Sequence, residues 1–278
     1  MSGINLVTKY APYVDEMFTK ESKRELLTNK DFNWDGAKTI KIHKVSTVET
    51  TDYDRAGTGE NSSRYGAVQG IDNDIETMTL TKDRSFTFAI DKMDIDETGG
   101  VLEGASALAR EVREVVIPEI DSHTYGVMCT GAGTKPTAKA LTASNIYDEI
   151  IKASQELDDN LVPETGRCLV VTPATYYLMK KATDIVMNND IGADMRARGV
   201  ISNLDGLTVV KVPAVRLPEK FGFMVCHKSA TVNPVKLADY KVHKDPPGIS
   251  GHLVEGRFYF DAFVLDNKAK AIYYQATT

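Results

Sequence analysis

The chain has 278 residues, 42% hydrophobic and 26% charged, with a formal net charge of −6 at pH 7. This is an ordinary globular composition, and its acidity argues against a protein whose main work is gripping nucleic acid. No apolar run approaches the ~20 residues that a membrane-spanning helix needs. Three cysteines, odd in number and far apart, make no disulfide framework and fit a reducing compartment. The opening MSGINLVTKYAPYVDEMF has no apolar stretch of a secretory signal. At this length two core-forming regions are expected.

Residues 1–34 read as a polar, irregular segment, with a short helix suggested by Val14, Met17 and Phe18. KTIKIHKVSTV (38–48) alternates around Ile40 and Ile42 and is rich in β-branched residues, which predicts a strand. The following 26 residues, 49–74, hold four glycines and little aliphatic content. Residues 75–91 return to strand, with Phe86, Phe88 and Ile90 alternating. Two long strands thus flank a polar tip, and loops of this length are usually functional or disordered.

VLEGASALAREVREVVIPEID (101–121) repeats Val101, Ala105, Leu108, Val112 and Val115 at helical spacing. Leu108, Val112 and Val115 are its expected packing residues, and Thr98 its N-cap. Pro118 near its end donates no hydrogen bond and crowds the carbonyl of Glu114, so a kink is expected there. GAGTKPTAKA (131–140) is a linker by composition. A second amphipathic helix runs over 144–158. RCLVV (167–171) reads as a buried strand, and Thr172-Pro173 opens a helix to about Met187. A polar excursion fills 188–206. LTVVKVP and FGFMVCH are strands, and PPG (246–248) breaks the chain. HLVEGRFYFDAFVL and AKAIYYQ then predict a hairpin around Asp266-Asn267.

No catalytic set emerges. GAGTK follows a helix and lacks the Gly-Lys of a phosphate loop. Cys226 and His227 are adjacent in a strand and point to opposite faces. His243 and His252 have no second ligand at metal spacing. DKMDIDE (91–97) lacks the glycine and terminal glutamate of a calcium loop. What remains is architecture. An isolated hairpin is marginal in water, so a long one needs neighbours, and further copies of the same chain are the economical source.

The element order resembles that of the major capsid proteins of tailed bacteriophages, which share the Hong Kong 97-like fold. The resemblance covers nearly the whole chain. Its most telling pieces are FNWDGAKTIKI (32–42), DYDR (52–55), RYG (64–66), LTKDRSFTFAIDKMDIDET (80–98), VVIPEID (115–121) and LVEGRFYFDAFVLDNKAKAIYY (253–274). It implies an α+β fold with an N-terminal arm (1–34) and an extended β-hairpin loop (35–97) lying over a neighbour. A peripheral domain with a long spine helix would follow at 98–140, then an axial domain (141–240), then peripheral C-terminal strands (241–278). The turn at 265–268 would lie near threefold contacts.

The function implied is that of a structural protein, not an enzyme, with no cofactor or metal. It would self-assemble into an icosahedral shell of pentamers and hexamers that encloses double-stranded DNA without reading its sequence. Scaffolding, portal and decoration proteins would be further partners. No membrane is involved, and assembly in the bacterial host cytoplasm would yield the virion capsid. Arg55, Glu60, Arg64 and Tyr65 are the candidates for contacts with a neighbouring copy. Some relatives join a lysine of the extended loop to a neighbour's asparagine with help from a glutamate. Glu255 stands where such a glutamate would serve, but the tip 49–72 holds no lysine and PPGISGHLV before Glu255 no asparagine. Lys82 and Asn267 lie elsewhere. Two alternatives are an encapsulin nanocompartment shell and a soluble α/β enzyme with a cleft in 141–240.

Overall fold

A computed structural model describes residues 22–29, 39–57, 64–66, 68–97, 104–182, 185 and 203–278, without the side chains of 236–238. The helix expected around Val14, the Thr98 cap, Val101, Glu60 and most of the stretch 188–206 lie outside these residues. The chain divides into two compact units. One is Trp34–Leu80, and the other combines Met1–Asn33 with Thr81–Thr278.

The smaller unit is an antiparallel hairpin. β1 (Thr39–Val45) pairs with β2 (Asn73–Thr79) in unbroken register from Thr39↔Thr79 to Val45↔Asn73. The strand expected over 75–91 is in fact two. β3 (Lys82–Asp91) belongs to the larger unit and pairs there with β10 (Gly251–Phe260), which in turn pairs with β9 (Val235–Lys244). The break falls at Leu80-Thr81. The backbone N–H and hydroxyl of Thr81 both donate to Asp261 Oδ2, at 2.9 and 2.8 Å, and this captures the start of β3.

A five-stranded sheet of order β12-β7-β4-β6-β5 organises the rest of the larger unit. Its strands are β4 (Arg167–Val171), β5 (Asn203–Leu204), β6 (Leu207–Lys211), β7 (Phe221–His227) and β12 (Ile272–Ala276). Helices cover both faces, which is why RCLVV is apolar without alternation. Cys168, Val170, Val210, Met224 and Cys226 face one core with Leu27, Tyr125, Met128 and Cys129. Leu169, Val171, Phe223 and Val225 face the other. There they meet Ile146, Ile150, Ala153 and Leu157 of α4 (Ile146–Asp159), and Tyr176 and Met179 of α5 (Pro173–Lys181). Thr172 caps α5 by accepting from Thr175 N, and the helix ends at Ala182, where the backbone turns extended.

The hairpin expected around Asp266-Asn267 does not form. β10 lies in the three-stranded sheet and β12 in the five-stranded one. Between them β11 (Phe263–Val264) pairs with β8 (Thr231–Val232), and a 3-10 turn spans Asp266–Ala271. The two apolar runs are close in sequence but bury their faces in different cores.

After the short helix α1 (Lys92–Glu97), the long helix runs as α2 (Gly104–Glu111), a π-helical segment Val112–Val116, and α3 (Ile117–Gly131). The π turn sits immediately before Pro118. In an α-helix the proline would collide with the Glu114 carbonyl; the wider turn gives its ring room while Val116 and Ile117 keep helical angles. The wider turn also shifts the buried stripe. Leu108 and Val112 are half-buried, Val115 is 47% exposed, and Val116 (2%) and Ile120 (4%) take the core positions against Phe258 and Phe260. Val115 therefore does not pack within the chain as its spacing suggested. Val116→Ala is expected to cost about 1–3 kcal/mol. Val115→Ala should stay within about 0.5 kcal/mol. Urea unfolding of the unassembled subunit measures both, and equal costs would refute the shifted stripe.

Candidate inter-subunit surfaces

The hairpin unit buries little and exposes much. Among the described residues, fourteen large apolar or tyrosine side chains are exposed, and seven of them lie in this unit: Val45, Val48, Tyr53, Tyr65, Val68, Ile71 and Ile75. Its far end is locally folded. Asp54 N donates to Arg64 O at 2.9 Å, Ala56 N to Asp54 Oδ1 at 2.8 Å, and Thr51 Oγ1 to Tyr65 O at 3.2 Å. Tyr53 and Tyr65 meet edge to face at 5.1 Å. Gly57 (φ +68) and Gly66 (φ +79) supply the left-handed turns. Arg55, Arg64 and Tyr65 are thus gathered at one end and exposed, whereas Glu60 falls outside the described residues.

The three-stranded sheet turns Phe86, Phe88, Val254 and Phe258 to one face and charges to the other. Gly256 lies opposite both Phe86 and Tyr240, whose rings are 6.1 Å apart and nearly parallel. A Cβ at Gly256 would come within 2.3 Å of Phe86 and 2.9 Å of Tyr240, so the EGRF glycine is what lets these rings close over the strand. On the charged face Arg257 grips Asp83 with both arms, at 2.9 and 2.6 Å, which holds the Asp83 carboxyl below its usual range. Glu255 pairs with His243 at 3.2 Å.

The long helix carries two buried polar knots that the sequence reading missed. Asp121, fully buried, accepts from Ser22 Oγ (2.7 Å) and Arg24 Nη1 (3.0 Å) on Oδ1, and from Arg216 Nη1 (2.8 Å) on Oδ2. It ties together the end of the N-terminal segment, α3, and the 3-10 turn Ala214–Arg216. Tyr125, one turn on, has a buried hydroxyl without a hydrogen-bond partner. Burial first, then the charge of Asp121, pushes it well above the ordinary phenol range. The second knot is Asp261, which accepts from Thr81, Ala262 N and His123 Nε2 (2.8 Å). Burial alone would raise its carboxyl, but these hydrogen bonds outweigh it and hold it low. Asp121 was legible in one respect. It falls on the apolar stripe Ile117, Ile120, Thr124, Tyr125, Met128, where an acid must be paired.

A family profile described as phage capsid protein matches residues 74–275. The chain belongs to the phage capsid protein family. Solved structures agree on the fold of this capsid protein. A Mycobacterium phage Che8 chain is 20% identical with a TM-score of 0.74, covering 98% of this chain and 97% of that one. The capsid of the cyanophage P-SCSP1u is 16% identical with a TM-score of 0.79, covering 99% and 93%. A virus-like particle from Pyrococcus furiosus is 11% identical with a TM-score of 0.57, covering 92% of each chain. No curated protein sequence matches the chain. It is a major capsid protein with a Hong Kong 97-like α+β fold, a structural protein of the virion capsid that self-assembles into a shell.

Proposed function

We propose that the capsid protein forms rings of five and six copies that close into an icosahedral shell around packaged double-stranded DNA, with its hairpin unit lying over a neighbouring copy. The observation that carries this is the concentration of exposed apolar side chains in Trp34–Leu80. Water-exposed apolar surface gains roughly 25 cal/mol per Å² on burial, and a unit with so little core of its own gains most from a partner. Arg55, Arg64 and Tyr65 would make the polar part of that contact. The net charge of −6 suits a container that holds DNA without binding its sequence. Assembly in the host cytoplasm, with scaffolding, portal and decoration proteins as further partners, completes the reading. The nanocompartment alternative draws only on a fold-level likeness, and the family match favours the phage shell.

Sedimentation and negative-stain microscopy of the concentrated protein should show shells. Replacing Val45, Ile71 and Ile75 together by serine should leave a folded subunit, by circular dichroism, that no longer forms them. Shells at undiminished yield from that variant would overturn the role of the hairpin.

These shells are expected to lack covalent cross-links. An amine attacking a side-chain amide needs a lysine that can deprotonate, and the basic residues of the tip are Arg55 and Arg64, which stay protonated. Shells boiled in denaturant with reductant should run as one band near 30.6 kDa, and a ladder of multimers would refute this.

A further inference from the structure

We infer that copies within a ring meet head to tail through an acidic cleft at one edge of the five-stranded sheet, which receives Lys268 and Lys270 from the opposite edge of the next copy. This rests on the ring reading above and names the contact that would close the ring.

The cleft, of about 310 Å³, is lined by Ser154, Asp158, Glu164, Arg167 and Asp205. Its charge is unusual for its place. Asp158 and Asp159 stand in the last turn of α4, where no basic residue offsets them. That is the negative end of the helix dipole, where acids are disfavoured. Arg167 answers one of them, its Nη2 lying 2.7 Å from Asp158 Oδ1, while its N–H groups also serve the carbonyls of Val162 and Pro163. Lys228 passes over Gly166 and is the other nearby cation. Asp159, Glu164 and Asp205 are exposed and form no ion pair among the described residues. In the lining itself three carboxylates, Asp158, Glu164 and Asp205, stand against the one guanidinium of Arg167.

One further feature points to an occupant. Ser154 lines the cleft, is only 6% exposed, and its hydroxyl has no hydrogen-bond partner. Leu161, in the turn that ends α4, is 90% exposed, and its φ of 57 lets Val162 N donate back to Leu157 O at 3.0 Å. No three of the described acids, histidines or cysteines are placed to hold a metal ion.

The sheet supplies the source. β4 and β6 run parallel from the cleft, whose Asp205 sits in the turn before β6 at the β5 edge. Arg167 pairs with His227, and Cys226 with Ile272, so β12 begins at this same end, on the opposite edge. The turn leading into it, which the resemblance would put near threefold contacts and which this proposal assigns to the ring contact instead, carries Lys268 and Lys270, both exposed and without an ion pair among the described residues. One end of one sheet thus presents acids at one edge and lysines at the other. Two different, complementary patches are what a ring of rotated copies requires.

The test is charge reversal. Glu164→Lys with Asp205→Lys, and separately Lys268→Glu with Lys270→Glu, should each leave a folded subunit and lower shell yield by about tenfold or more, since juxtaposed like charges cost several kcal/mol. All four changes in one chain should restore shells. Mixing the two reversed variants gives alternating attractive contacts, which can close rings of six but not of five. The mixture should therefore yield sheets or tubes rather than closed shells. Should reversal unfold the chain, the neutral pair Glu164→Gln and Asp205→Asn should make assembly yield insensitive to salt. Wild-type yield from either reversed variant, or no restoration by the four changes, overturns the contact while leaving the ring reading intact. Wild-type protein that forms no shells at all overturns both.

Discussion

Asp121→Ala should cost the subunit about 3–5 kcal/mol, the penalty for removing one partner from a buried charge cluster. Against the ~5–15 kcal/mol that holds a typical domain, that is a fifth of the total or more. The reason is geometric. One fully buried carboxylate answers Arg24 at 3.0 Å and Arg216 at 2.8 Å. Removing it leaves both guanidinium groups facing each other, and the Arg216 side chain is only 8% exposed. It also frees Ser22 and the segment that brings Leu27 into the core with Cys129, Cys168 and Cys226. Arg24→Ala should be milder, at about 1.5–3 kcal/mol for one charged hydrogen bond, because that side chain is 16% exposed and reaches water. Urea denaturation of the unassembled subunit gives both values, and a double-mutant cycle isolates the coupling. An Asp121→Ala cost below that of Arg24→Ala would mean that the cluster does not hold the segment.

What the sequence made legible follows from how local each signal is. α4, β4 and the Thr172 cap of α5 come from periodicity and a single side-chain hydrogen bond, both contained in a few neighbouring residues. The division between β2 and β3 is not local. Met78, Leu80, Phe86, Phe88 and Ile90 keep one parity, as they would in one strand, but the chain changes sheets at Leu80-Thr81, where Asp261, 180 residues away, captures Thr81. The same holds at the C-terminus, where two apolar runs around Asp266-Asn267 join different sheets. Pro118 was visible as a disturbance, but not as a π turn, since a kink and a wider turn both relieve the Glu114 carbonyl. Only the burial of Val116 in place of Val115 separates them. Among the surfaces, Arg55, Arg64 and Tyr65 do lie together. The acidic cleft went unseen because Asp158, Glu164 and Asp205 meet only once β4 and β6 lie side by side.

Gly251→Ala is the other substitution expected to be severe. Gly251 opens β10 opposite Asp91, with φ +138, where side chains are rarely accommodated. Space is the larger obstacle. A Cβ there would lie 2.1 Å from the Ile90 carbonyl oxygen and 2.8 Å from Lys92 N. Both are backbone atoms, so no side chain can swing aside; β3 and β10 must part. Their separation would also strain the turn, where Asp245 N donates to Gly251 O at 2.7 Å, Gly251 N to Asp245 Oδ1 at 3.1 Å, and Lys92 N to Ser250 O at 3.0 Å. A cost of roughly 3 kcal/mol is expected from overpacking and strain together. Gly248, in the same turn, is the control. Its φ is +86, but nothing lies within 4 Å of an added Cβ. Gly248→Ala should therefore carry only the left-handed backbone penalty of about 1–2 kcal/mol. Urea midpoints of the two variants separate crowding from backbone strain, and hydrogen exchange at Lys92 and Asp245 should rise in Gly251→Ala alone. Equal midpoints with unchanged exchange would show that the β3–β10 end is not closed as tightly as these distances state.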